Sequence, residues 1–284
     1  MLDTGPEPPG PRVDAEAGEA VLARAVSAYR AALGARLVAG YALGSLAHGG
    51  FSPLVSDVDL GLILAGPLRA GDRLTVRTVA RSVRAGGSAL DERLSVFWGT
   101  PATLQGRRRG GRFPPLDRLD LLEYGRLLTG RDVRSVLARP GHAELLVVGA
   151  EFALGQLGPR FRSCSLDEIR DPARLVARGP RRLTKVVLFP VRFLFTAATD
   201  QVGTNTRAAA HYLAGAQAPA AALVAAALAW RSEPAADDEA TALLSRELVP
   251  LYVQYIDDQI ARLQAVDRHR LAGRFRRWKA RLLA

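Results

Sequence analysis

Cysteine is nearly missing from this chain, and so is lysine. A single cysteine, Cys164, in 284 residues excludes an intrachain disulfide, and no Cys/His grouping has the spacing of a zinc site. Cys164 reads as an ordinary free thiol. Only two lysines, Lys185 and Lys279, stand among 39 basic residues, which leaves 37 arginines. Long apolar runs are missing as well. The longest, 218–230, is mostly alanine and falls short of the ~18–20 residues that span a bilayer. The first twenty residues are acidic and rich in proline and glycine, without the basic start and apolar stretch of a secretory signal. A cytoplasmic protein with no transmembrane segment is the expectation.

What the chain does have is apolar substance and positive charge. Hydrophobic residues make up 48 %, enough for a sizeable core, and 284 residues suit two domains of ordinary size. The net charge of +11 draws polyanions to the surface, so nucleoside triphosphates, RNA and acidic metabolites are the candidate partners.

Residues 1–12 carry six prolines and glycines and read as a flexible leader. Apolar residues at three- and four-residue spacing predict a helix over 13–33, and Gly34 stops it. The short apolar runs 37–43 and 58–64 predict buried strands, and 94–98 a third. Helices are expected over 69–84 and 116–128, with a loop over 107–115. Beyond about residue 140 the strand signals fade, and helical periods occupy 143–157, 180–199, 206–230, 237–264 and 267–283. The expected class is α+β: a mixed-sheet domain over 13–140, then a helical bundle over 141–284.

The informative string is YALGSLAHGGFSPLVSDVDLGLIL, residues 41–64. A strand running into Gly44-Ser45 at the opening of a short helix offers backbone amides and a small hydroxyl to a phosphate chain, with no bulky side chain to keep the main chain away. Asp57 and Asp59, two apart on a predicted strand, project from one face, while Val58 and Leu60 point into the core. Carboxylates converging in this way suit hard divalent cations such as Mg²⁺, and two ions there would stabilise the attacking and leaving oxygens of an in-line displacement.

Gly44-Ser45 followed at this interval by Asp57-Val58-Asp59 resembles the defining motif of the DNA polymerase β-like nucleotidyltransferases. The fuller string is most similar to their aminoglycoside nucleotidyltransferase (adenylyltransferase) branch, and residues 185–213 are similar to the helical C-terminal segment of aminoglycoside adenylyltransferases. The resemblance implies two Mg²⁺ ions, an NTP donor that is most simply ATP, and transfer of NMP to a hydroxyl of a small-molecule acceptor. Carried over residue by residue, it implies nucleotide contacts at Gly44 and Ser45, with Asp57 and Asp59 both catalytic and metal-binding. Ser56 beside them is a further candidate nucleotide contact; so are His48, from its place in the loop between, and Lys185, basic on a helical face with Arg192, with a solvent-facing or surface role the alternative for each.

Family members usually add a third carboxylate from a later strand, as metal ligand or as general base. The register of the aminoglycoside branch puts that position on Ser95, and the polymerase-like register puts it on Asp91. On a strand, Asp91, Arg93 and Ser95 would share a face, with Glu92 one residue off it. Asp91 is the preferred third catalytic and metal residue, Glu92 the next, and Ser95 with no third carboxylate the remaining alternative. Two other functions stay open: nucleotide addition to tRNA or RNA by a toxin-like relative, favoured by the +11 charge and the basic segment 267–283, and a catalytically silent nucleotide- or RNA-binding relative, favoured by Ser95.

Overall fold

The structure is a computed structural model that describes residues 15–158 and 165–284. The predicted leader over 1–12 and Cys164 lie outside those residues. The chain divides into two compact units, 1–139 and 140–284.

In the first unit the elements run α1 (Glu16–Leu33), β1 (Leu37–Leu43), α2 (Gly44–His48), β2 (Val58–Leu64), α3 (Asp72–Arg84), α4 (Ala89–Glu92), β3 (Leu94–Gly99), α5 (Pro101–Leu104), α6 (Pro115–Tyr124) and β4 (Arg126–Gly130). The sheet order is β3-β2-β1-β4, with β1 antiparallel to β2 and β4 and with β2 parallel to β3. The two inner strands are covered on both faces, which is why LVAGYAL and VDLGLIL read as nearly unbroken apolar runs.

Alternation along β2 divides the core. Leu60, Leu62 and Leu64 join Val21, Leu22 and Tyr29 of α1 and Val76 of α3 on one side. Ile63, with Tyr41 and Leu43 of β1, meets Leu121 of α6 on the other. Asp59 shares parity with Ile63 and therefore opens on the α6 side.

Two expectations for this unit need correction. The helix expected over 116–128 ends at Tyr124, and 126–130 form the edge strand β4. The apolar spacing of Leu127 and Leu128 mimics a continuing helix, but their backbone pairs with the open side of β1. Asp91, expected on a strand, sits in the single turn α4, where Ser88 caps the helix and exchanges hydrogen bonds with it.

The second unit is helical throughout its described residues: α7 (His142–Gln156), α8 (Ser165–Arg170), α9 (Pro172–Val176), α10 (Pro180–Thr199), α11 (Asn205–Leu213), α12 (Ala221–Ala229), α13 (Asp237–Ala265) and α14 (His269–Leu283). The single period expected over 206–230 is broken into α11 and α12 around Gly215 and Pro219. Tyr252 and Tyr255 of α13 interlock with Phe275 and Trp278 of α14, ring centroids 5.6–6.3 Å apart. The Tyr252 hydroxyl donates to the Val186 carbonyl of α10 at 2.9 Å, and buried Glu247 accepts from the Leu223 N–H at the start of α12 at 2.8 Å. Among the described residues no helix is long and apolar enough to cross a membrane.

Candidate active site

The strand β1 runs extended through Leu43 and turns at once into α2, and that turn needs glycine twice over. Gly44 has φ +59°, and a Cβ added there would collide with Asp59 Oδ2 and lie 3.2 Å from Asp59 Cγ. The phosphate-loop candidate and the β2 carboxylate are thus in direct contact. The Gly44 N–H donates to Asp120 Oδ2 of α6 at 2.6 Å. Ser45 follows, half-buried, and its carbonyl accepts from the Gly49 and Gly50 N–H groups at 3.1 Å, which closes the short helix.

The loop after α2 is braced to deliver Asp57. The Ser52 N–H donates to Ser56 Oγ at 3.0 Å and the Ser56 N–H to the Ser52 carbonyl at 2.8 Å. Arg93 Nη1 adds bonds to the carbonyls of Pro53 and Leu54 at 2.8 and 3.1 Å. Ser56 is buried and its hydroxyl serves this turn. Asp57 and Asp59 emerge half-buried at the head of β2.

Helix α6 brings two further carboxylates to this corner. Asp117 and Asp120 lie three apart and so share a helical face. Burial pushes the Asp117 carboxyl up to about 8, Asp59 and Asp120 push in the same direction, and Arg112 opposes them. Such crowding of acids is relieved by a proton or by a cation. Among the described residues, no group of three or more His, Cys, Asp or Glu side chains is spaced to hold an ion unaided. Mg²⁺ commonly takes one or two carboxylates and completes its shell from substrate phosphates and water. Asp57 and Asp59 beside a glycine turn fit that donor set.

The other expected residues are placed as follows. Ser95 is the register partner of Asp59, so β3 offers a hydroxyl beside that carboxylate. Asp91 is buried, bonded to the Ser88 hydroxyl at 2.8 Å and ion-paired with Arg24 of α1. Burial alone would raise its pKa, but Ser88 and Arg24 hold it below the usual carboxylate range. Its oxygens are committed to the cap and the ion pair, which corrects the expectation of a strand carboxylate free for metal. Glu92 is exposed at the end of α4. His48 is half-buried and meets Tyr124 edge-on, centroids 5.4 Å apart. Lys185 lies half-buried on α10 of the second unit.

A solved structure carries the same arrangement of elements. Spectinomycin adenyltransferase AAD(9) from Enterococcus faecialis, determined with ATP and spectinomycin, superposes with a TM-score of 0.54 over 81 % of this chain and 98 % of its own, at 12 % identity. The chain shares the fold of that adenyltransferase. No family model and no curated protein matches the sequence. In that fold, Asp117 and Asp120 are the residues that sequence reasoning missed. Their i, i+3 spacing was visible, but the packing of α6 over the odd face of β2 was not.

Proposed function

We propose that the chain is a Mg²⁺-dependent nucleotidyltransferase of the cytoplasm that moves a nucleoside monophosphate, AMP from ATP, onto a hydroxyl of a small-molecule acceptor. The observation that carries this reading is the Gly44 turn packed against Asp59, which sets backbone amides and a β2 carboxylate side by side. Gly44 and Ser45 hold the outer phosphates, with His48 as a further nucleotide contact and Ser56 keeping the loop in shape. Asp57 and Asp59 hold Mg²⁺, which when bound neutralises phosphate charge and orients the chain for in-line attack. The acceptor oxygen forms a bond to the α-phosphorus, and the bond to the leaving pyrophosphate breaks. Asp120 adds to the negative potential that draws the cation in, and Asp117, which keeps its proton up to about pH 8, can release it when the cation arrives.

The neighbour's ATP and spectinomycin favour ATP as donor and a polyhydroxylated ring as acceptor. The net charge of +11 weighs against a strongly polycationic acceptor. Titration with each of the four NTPs and Mg²⁺, on wild type and on an Asp57→Asn, Asp59→Asn double variant, tests the reading. Metal-dependent binding of one nucleotide, weakened about 10³-fold in the double variant as the loss of several kcal/mol of metal interaction requires, is the expected result. No binding of any NTP by the intact chain refutes it. The second reading, a silent nucleotide-binding relative, is favoured by Ser95 beside Asp59; NTP binding with no pyrophosphate release in the presence of hydroxyl acceptors would select it.

A further inference from the structure

Helix α14 carries charge that the bundle does not use. Leu271, Phe275, Trp278 and Leu282 form its inner stripe and are 0–8 % exposed. Along one flank Arg270, Arg274, Arg277 and Arg281 follow one another at four, three and four residues, all exposed, and so lie on one line along the helix. The row runs over eleven residue steps, about 16 Å at 1.5 Å per step. No carboxylate among the described residues pairs with any of the four guanidinium groups, and α14 itself contains no acidic residue. Lys279 of α14, which pairs with Asp257 at 2.7 Å, lies off the row, as does His269, 3.6 Å from Asp267. Exposed Arg170 of α8 donates to the Arg281 carbonyl and adds a fifth cation at the row's C-terminal end.

The row has a cost within the protein alone, because like charges one turn apart destabilise a helix. Its chemistry suits phosphate, which arginine engages through two parallel N–H bonds. Its length suits a polymer: about 16 Å is roughly five phosphates at the ~3.4 Å rise of one strand, far more than one triphosphate occupies. A membrane surface fits less well, because an interfacial helix sinks its apolar face into lipid and here that face is packed inside the bundle.

We propose that the arginine row of α14 binds the phosphate backbone of a nucleic acid. The contact is electrostatic and sequence-tolerant, since the aromatic side chains of α14 are buried and offer no stacking surface.

The test is fluorescence anisotropy of a labelled 20-nucleotide single-stranded RNA against the full chain over a range of salt concentrations. Three proteins are compared: wild type, an Arg274→Gln, Arg277→Gln, Arg281→Gln variant, and a charge-matched Arg30→Gln, Arg81→Gln, Arg131→Gln control whose sites are exposed on α1, on α3 and just after β4 in the first unit. Losing three phosphate contacts should make the slope of log K against log salt shallower by about two, at ~0.7 per contact for single strands, and weaken low-salt binding at least about tenfold. The control should keep the wild-type slope. Equal losses in both variants would reduce the effect to bulk charge and overturn the proposal. So would no binding by wild type at low salt, or tighter binding to phosphatidylserine vesicles than to RNA. Because none of the three substituted arginines belongs to the proposed nucleotide site, NTP binding by the α14 variant should match wild type, and failure of the nucleotidyltransferase reading would leave this outcome untouched.

Discussion

Strands β2 and β3 start side by side, parallel and in register, yet they treat their acids in opposite ways. Asp91, just before β3, is closed in by a cap hydroxyl and an arginine, and its charge is used to hold α4 against α1. Asp59, on β2, faces Ser95 across the ladder and has Asp117 within electrostatic reach. One carboxylate is matched by positive charge and belongs to the framework. The other belongs to a corner with an excess of negative charge that framework alone does not explain. A carboxylate near a sheet's end is therefore judged by its partners, and proximity in sequence to a motif is a poor guide.

Disturbing the β2 side should have the largest effect. Gly44→Ala puts a methyl group into Asp59 and forces a side chain to φ +59°. The expected result is a folded protein whose Mg²⁺-dependent nucleotide binding drops about 10²-fold, as misplacement on the ångström scale can cause; unaltered binding by calorimetry would sever Gly44 from the site. On the β3 side, Asp91→Asn should cost about 2 kcal/mol in denaturant unfolding, through a weakened cap and ion pair, while nucleotide affinity holds. Loss of nucleotide binding at full stability would put Asp91 back in the active site.

The Asp117 carboxyl gives a pH signature. Its folded-state pKa, about 8, exceeds the model-compound value of 3.8, so between them the folded chain keeps a proton that the unfolded chain has released. This contribution to stability is complete below about pH 4 and is lost as pH rises towards 8. Asp117→Asn should remove the decline and melt a few degrees above wild type at alkaline pH, with no advantage in acid; parallel melting curves at every pH would disprove it. The smallest effect is expected from Ser95→Asp, which makes β3 resemble β2. Like charges across the ladder should cost about 0.5 kcal/mol without Mg²⁺, and the ion should restore it; a cost indifferent to Mg²⁺ would mean that no cation sits beside Asp59.

The inner strands could be read from the chain because burial on both faces leaves an apolar run bounded by glycine or proline, and β1 and β2 begin and end where those runs do. β4 could not, since its only determinant is the unpaired side of β1, about ninety residues away in sequence. α4 was legible in principle: Ser88-Ala-Leu-Asp91 is a capping box, and extending β3 backwards by alternation overrode it. The same limit governs the site. Gly44, Asp57 and Asp59 are local in sequence and announce themselves, whereas Asp117 and Asp120 acquire meaning only when α6 is laid across β2.

The hydrogen bond from Gly44 to Asp120 would make docking of a phosphate at the loop a replacement. The amide at the mouth of α2 already holds a resident oxygen at 2.6 Å. On the proposed function, an arriving phosphate would have to evict it, and the evicted carboxylate would have to find solvent, a proton or a cation. Occupancy of the loop would then be the outcome of a contest between two anions, and a divalent ion arriving with the phosphate would help the newcomer while giving the displaced oxygen somewhere to go.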